Sequence, residues 1–203
     1  MFSLLLTLSV AAAVRALPNI TVVPKELSCS NWPFFRQTNS VAGPFAIFAD
    51  STGTDIDGNK ATYITMSEAD VAAGWVSIVP ETGAAVPQVQ CQAFGSSEML
   101  AMNLNGAYQP LSISEFFYHE YDGLIFIKNV PTGAPIEPHW HYFSNGTRQD
   151  GTFLGWNNFT TWAYLLDTAS NHYRVRLLTD SAQTLYDGEF TGFVRAGDPS
   201  LSD

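Results

Sequence analysis

The chain has 203 residues, of which 46% are hydrophobic and 14% are charged, and this composition excludes an intrinsically disordered protein. Its 19 acidic and 9 basic side chains give a net charge of −10. That charge excludes a nucleic-acid-binding domain, because such domains need a basic surface to displace counterions.

The first sixteen residues predict a signal peptide. They are almost entirely apolar, and Val14 and Ala16 place small side chains where signal peptidase requires them. Cleavage is therefore expected after Ala16. The apolar run is too short to cross a bilayer, and no segment that could stop transfer follows it. We expect a secreted protein without a membrane anchor, in which residues 17–203 form a single β domain.

The N-glycosylation sequons and the cysteines also indicate a secreted protein. The N-glycosylation sequons begin at Asn19, Asn145 and Asn158, and each has a threonine two residues further on. Because a glycan needs an accessible acceptor, each sequon predicts a surface position. Cys29 and Cys91 are the only cysteines. They predict one disulfide, which is the default pairing in an oxidising compartment.

Short segments rich in β-branched and aromatic residues predict strands throughout the chain. The 15 glycines and 11 prolines separate them, as turn residues do in β proteins. The predicted strands are Phe45–Ala49, Ala61–Met66, Trp75–Val79, Pro87–Ala93, Met99–Leu104, Leu124–Asn129, Pro138–Phe143, Thr152–Trp156, Thr161–Leu166, His172–Thr179 and Phe190–Arg195. Many short strands between regular turns predict an all-β fold, either a barrel or a two-sheet β-sandwich.

Two segments predict short helices within this all-β domain. Ser67 begins a capping-box pattern that opens a short apolar run, and Gly74 closes that run. Ser112 begins a second capping-box pattern ahead of residues 116–121. The residues from Ser112 onward also alternate well enough for a strand, so both structures remain open there.

Acidic residues crowd the segment after the second capping box. Glu115, Glu120 and Asp122 lie close together in the sequence. Together with Glu137 and Glu189, they are candidates for the acid and base of a carbohydrate-active hydrolase or lyase. Such an enzyme needs two carboxyl groups on either side of a cleft. An acid/base enzyme of this kind is one alternative function.

The most specific local pattern combines a glycine with two histidines. Gly133 is followed after five residues by His139 and, after one more residue, by His141. On a strand, residues two apart face the same side, so both imidazoles can reach one metal ion. The spacing resembles the opening of the first cupin motif, and the segment from Pro138 to His141 is similar to that of the secreted fungal quercetinases.

The cupin resemblance implies a jelly-roll barrel and one divalent transition metal, which in cupins is copper, iron, manganese, nickel or zinc. It implies His139 and His141 as ligands and His172 as the third imidazole. Glu137 or Glu120 would supply the carboxylate that completes the shell, since Asn145 and Gly146 stand where cupins place a glutamate.

A metal-dependent small-molecule oxidoreductase of cupin type is therefore the leading hypothesis for function. The motif leaves one alternative open. In that alternative His139 and His141 face solvent and flank a Trp140 that packs in the core.

Aromatic residues cluster between Trp156 and Tyr164. Trp156 and Trp162 lie beside Asn157 and Asn158, and flat rings next to amides are typical of surfaces that stack on sugars. The same rings also suit the centre of a small barrel. A non-catalytic secreted protein that binds a carbohydrate or a cell-wall partner is thus a further alternative, with a small molecule or a glycan as its ligand.

Hydrophobic alternation is clearest near the C-terminal end of the chain. His172, Arg174 and Arg176 share one face of the predicted strand, and the opposite face carries Tyr173, Val175 and Leu177. The basic face is either a wall that binds an anion or an outer face whose partners are acids on neighbouring strands.

Overall fold

A computed structural model describes residues 17–65, 73–80, 86–114, 123–127, 133–180 and 183–200. The signal peptide predicted for residues 1–16 lies outside this part of the chain, as do the capping box that begins at Ser67 and the acidic residues Glu115, Glu120 and Asp122.

The described residues form fourteen strands and one short 3₁₀ helix at Cys29–Asn31. The strands are β1 (Ile20–Pro24), β2 (Phe35–Arg36), β3 (Val41–Asp50), β4 (Ala61–Thr65), β5 (Ala73–Ile78), β6 (Val89–Phe94), β7 (Ser97–Leu104), β8 (Ala107–Ser114), β9 (Gly123–Ile127), β10 (Glu137–Phe143), β11 (Thr152–Gly155), β12 (Thr161–Asp167), β13 (His172–Leu177) and β14 (Phe190–Gly197). The all-β prediction is confirmed, and each predicted strand overlaps one of these.

Glycine 74 has a different role from the one that the sequence indicates. It lies in β5 instead of closing a helix. A Cβ at Gly74 would lie 2.2 Å from the carbonyl oxygen of Ile64 and 2.7 Å from the ring of Phe126. Position 74 therefore requires glycine, because any side chain would clash with β4 and β9, which pack closely against it. At the second capping box the strand alternative holds as far as Ser114, which ends β8.

Eight strands form a closed antiparallel ring. Its order is β3, β14, β12, β13, β9, β8, β7 and β6, and β6 pairs back with β3. Strand β5 pairs with both β13 and β9 and also with β4. Strands β11, β10 and β1 extend the sheet from β14. A closed ring of this kind is the arrangement of an all-β barrel.

The hydrophobic core fills the ring. Every ring strand contributes apolar side chains at alternate positions, including Ile47, Val89, Leu100, Leu111, Phe126, Trp162, Tyr164, Leu177 and Val194. Burying each large apolar side chain contributes about 1.5–3 kcal/mol to folding. The alternation predicted for β13 is confirmed, because Val175 and Leu177 are in the core while Arg174 and Arg176 project from the opposite face.

The predicted disulfide between Cys29 and Cys91 is confirmed. It joins the short 3₁₀ helix to β6, and both cysteines are fully buried. The backbone N–H of Cys29 also donates to Oε2 of Glu98 at 2.7 Å. These contacts fix the N-terminal segment against the ring. In the part of the chain that is described, no helix has the length and apolar character needed to span a bilayer.

Candidate functional site

A pocket of about 310 Å³ opens on the outer face of the ring, over β12, β13, β5 and β9. Ala163 and Leu165 of β12 line it, and they alternate with core residues such as Tyr164. Arg174 and Arg176 line it from β13. Because successive strand residues point to opposite faces, the pocket lies on the side of the sheet away from the core.

Strand pairing assembles the pocket from residues that are distant in sequence. Ala163 lies opposite Arg176 in the register of β12 and β13, and Leu165 lies opposite Arg174. Arg174 in turn lies opposite Ser77 of β5, so Trp75, two residues earlier, faces the same side. These cross-strand neighbours form an apolar floor with two arginines beside it.

One wall of the pocket is a buried ion pair. Nε of Arg176 donates to Oε1 of Glu189 at 2.8 Å, and Nη2 donates to Oε2 at 2.6 Å. The two side chains are only 4% and 1% exposed. Arg176 also donates to the carbonyl oxygen of Thr184 and stacks on the ring of Tyr186 at 4.7 Å. This pair therefore fixes residues 184–189 as the wall.

A second ion pair lies nearer to solvent. Nε of Arg174 donates to Oδ2 of Asp167 at 3.0 Å, and the side chains are 41% and 16% exposed. The guanidinium lies 5.1 Å from the centre of the Trp75 ring. Burial acts to raise the pKa of Asp167, but hydrogen bonds from Arg174 and from the backbone of Ala169 outweigh it and lower the pKa below its ordinary value. Asp167 is therefore an ionised hydrogen-bond acceptor near neutral pH.

Exposed apolar side chains border the same pocket. Leu166, which lines it, is 38% exposed, and Tyr186, whose ring lies against Arg176, is 39% exposed. An apolar rim beside convergent polar groups is typical of a ligand site.

The two histidines of the predicted metal motif lie on β10, and both are fully buried. The imidazole of His141 stacks on the ring of Phe153, with 3.7 Å between centroids and 9° between planes. Trp140 between them is only partly buried. The alternative with solvent-facing histidines and a core Trp140 is therefore wrong, since the two faces of β10 are reversed.

Both imidazoles are neutral near pH 7. Burial lowers the pKa of His139, and it lowers the pKa of His141 to about 3. Nδ1–H of His139 donates to the carbonyl oxygen of Glu137 at 3.0 Å, and Nε2 of His141 shares a hydrogen bond of 2.9 Å with the hydroxyl of Thr160. Nε2 of His139 lies 3.8 Å from Oε2 of Glu137 and has no hydrogen-bond partner among the described residues.

The described residues do not fit the three-imidazole set that the cupin resemblance implies. His172 lies on β13, where its Nδ1 is 3.4 Å from the hydroxyl of Ser77, and β11, β14 and β12 separate it from β10 in the sheet. Glu137 accepts the backbone N–H of Asn157 at 2.8 Å, and Glu120 lies outside the described residues. Within those residues, no three metal-binding side chains converge. The metal centre stays a prediction.

The residues predicted to stack on sugars and the three sequons do not line the outer pocket. Trp162 is fully buried in the core and its indole N–H donates to the carbonyl oxygen of Leu154, so it exposes no ring face. Trp156 is partly buried against the core. Asn19, Asn145 and Asn158 are all exposed, as a glycan acceptor requires, and their glycosylation stays a prediction.

No protein-family model matches this sequence, and no curated protein matches it. Function must therefore be argued from the chemistry of the site itself. Sequence reasoning found one side of the pocket, the basic face of β13, and it named Glu189 as an acid. It missed Trp75, which only the pairing of β5 with β13 brings near Arg174. It also missed Asp167, which the turn between β12 and β13 brings to Arg174.

Proposed function

We propose that this protein is a secreted, non-catalytic binding protein that holds a small saccharide in the outer pocket. The observation that carries the proposal is the arrangement of Arg174 and Asp167 beside Trp75, above an apolar floor. A sugar presents hydroxyl groups along its edge and C–H groups on its ring faces. A paired guanidinium and carboxylate satisfy the hydroxyl groups, and an aromatic ring and aliphatic side chains satisfy the faces.

Charge and size support an uncharged ligand of this kind. Each arginine of the pocket has a carboxylate partner, so the charges of the lining residues that the structure describes balance. A neutral polar ligand therefore meets both donors and acceptors without an unpaired charge. The volume of about 310 Å³ is at the lower end of the range for small-ligand sites. It suits a short saccharide better than a long chain.

The chemistry of the two carboxylates favours binding over hydrolysis. A general acid needs a raised pKa so that it still holds its proton near neutral pH. The pKa of Asp167 is lowered. Both oxygens of Glu189 accept hydrogen bonds from Arg176, and one also accepts the backbone N–H of Tyr186. Asp167 is therefore not poised to give a proton to a glycosidic oxygen, and both oxygens of Glu189 already accept hydrogen bonds.

A glycan array tests this function. Protein secreted from a eukaryotic host is compared with its Trp75→Leu and Asp167→Asn variants, and circular dichroism shows whether each is folded. We expect a small set of neutral glycans to bind the wild type and to be lost from both variants. If no neutral glycan binds the wild type, or if both folded variants bind like it, the proposal fails.

The cupin-type oxidoreductase stays a separate prediction. The two neutral imidazoles of β10 support it in part, because neutral imidazole is the form that binds a metal. Elemental mass spectrometry of secreted, untagged protein tests it. A transition metal that is bound by the wild type and lost from His139→Ala/His141→Ala would support the prediction, and its absence from both would exclude it.

A further inference from the structure

The outer face of β10 carries a second group of side chains, distinct from the pocket. Trp140 and Tyr142 lie two residues apart on this face, and Thr21 of β1 lies opposite Tyr142 in the register. Lys25 follows β1, and its backbone N–H donates to the carbonyl oxygen of Pro138. Together with Arg148 these residues form what we call the Trp140 surface.

Two cations converge on the single indole of Trp140. Nζ of Lys25 lies 3.8 Å from the ring centre, and the guanidinium carbon of Arg148 lies 4.7 Å from it. Arg148 forms a bridge with Tyr142 on the edge of β10 away from β1. Lys25 and Arg148 thus reach the same ring from opposite edges of β10, and the ring holds both in place.

Among the described residues, no carboxylate forms an ion pair with Lys25 or Arg148. In the residues that the structure describes, the ion pairs of lysine and arginine involve Arg174, Arg176 and Arg195, and none involves Lys25 or Arg148. The protein as a whole carries a net charge of −10. Two positive charges on one ring repel each other, and an anion that contacts them from solvent offsets that repulsion. The Trp140 surface is therefore a local positive site on an acidic protein.

We propose that the Trp140 surface binds an acidic saccharide, whose carboxylate or sulfate groups pair with Lys25 and Arg148 beside the ring of Trp140. The ligand chain would run along β10 over Trp140 and Tyr142, whose rings offer apolar contact to sugar faces. An acidic peptide is less suited to this surface. Both edges of β10 are already paired, so a peptide could add a strand only beside β1, one strand away from Trp140 and Tyr142.

Microscale thermophoresis tests this proposal with three labelled probes, which are a heparin octasaccharide, a hexagalacturonate and a poly-glutamate peptide. The protein is treated with N-glycosidase first, so that glycans do not cover the surface. The test variant is Lys25→Gln/Arg148→Gln. The matched control, Arg36→Gln/Lys60→Gln, removes the same charge from positions outside the Trp140 surface.

We expect one of the two saccharides to bind, and to bind about ten-fold more weakly when salt rises from about 50 to about 200 mM. The test variant should lose about ten-fold or more in affinity and the control less than about two-fold, because salt screens charges that lie farther from the ligand than the Debye length. Three results would overturn the proposal. They are no binding of either saccharide, equal losses in both variants, or equal or tighter binding of the peptide.

Discussion

The guanidinium of Arg176 and the carboxylate of Glu189 meet in a two-point ion pair that is almost completely buried on the outer face of the sheet. Glu189 lies just before β14, and Arg176 lies near the end of β13. The pair holds the wall of the pocket in place before any ligand arrives. A preformed wall lowers the ordering cost of binding.

Removing one partner of this pair should destabilise the fold strongly. Glu189→Gln removes the carboxylate of the two-point ion pair with the buried guanidinium of Arg176, and we expect a loss of about 3 kcal/mol in the free energy of unfolding. Urea denaturation measures it. Asp167→Asn is the matched control. Its ion pair is partly exposed to solvent, so the loss should stay below about 1 kcal/mol. Equal losses in the two variants would contradict the burial argument.

Stability should fall as the pH drops below the ordinary pKa of histidine. The folded protein holds the pKa of His141 at about 3, against an ordinary value of 6.5. Above pH 6.5 the imidazole is neutral in both states. Between the two values only the unfolded chain takes up the proton, so acid favours unfolding. From pH 7 to pH 5 we expect His141 to remove about 2 kcal/mol from the free energy of unfolding.

The variant His141→Gln isolates this effect, because glutamine does not titrate. Urea denaturation of both proteins at a series of pH values gives the slope of stability against pH. The variant should show a shallower slope than the wild type between pH 6.5 and 5. Parallel slopes would mean that His141 is accessible to protons in the folded state.

Thr160 combines two roles that variants can separate. Its hydroxyl bonds to buried His141, and it is also the third residue of the sequon at Asn158. Thr160→Ala should cost about 1–3 kcal/mol, because it leaves a buried imidazole nitrogen without a partner. Asn158→Gln removes the sequon but keeps Thr160, and its effect should stay below about 1 kcal/mol, part of it from the φ of 68° at which asparagine is favoured.

Thr160→Ser is the conservative control for that pair, because it keeps both the hydroxyl and the sequon. Thermal or urea denaturation gives the stabilities, and mass spectrometry reports glycan occupancy. If Thr160→Ala and Asn158→Gln are equally unstable, the loss comes from the glycan and the hydrogen bond contributes little.

The strands were readable from the sequence because their cues are local. Alternation fixed the two faces of β13, and turn residues separated most of the other strands. β1 was missed, although it follows the sequon at Asn19. β8 was read only in part, because its end at Ser112 to Ser114 also matched a helix cap. Gly74 likewise matched a helix end, whereas its actual constraint is the close approach of β4 and β9.

The site was less predictable because it depends on long-range neighbours. Arg174 and Arg176 stood out in the sequence, but nothing local indicated that Trp75 lies near Arg174 or that Glu189 folds onto Arg176. The spacing of His139 and His141 correctly placed both on one strand. It could not indicate that they are buried and neutral, since packing against Phe153 determines that.

The most direct test of saccharide binding is a variant whose larger side chain fills the pocket. Ala163 lies on its floor, and Ala163→Leu puts added methyl groups into the pocket space. Isothermal titration calorimetry with the best ligand from the array compares this variant with wild type and with Ala107→Leu. Ala107 is exposed at the start of β8 and does not line the pocket, so Ala107→Leu adds the same methyl groups elsewhere. We predict a loss of about ten-fold or more in affinity for Ala163→Leu, little change for Ala107→Leu, and preserved folding of both. Wild-type affinity in a folded Ala163→Leu variant would contradict the account.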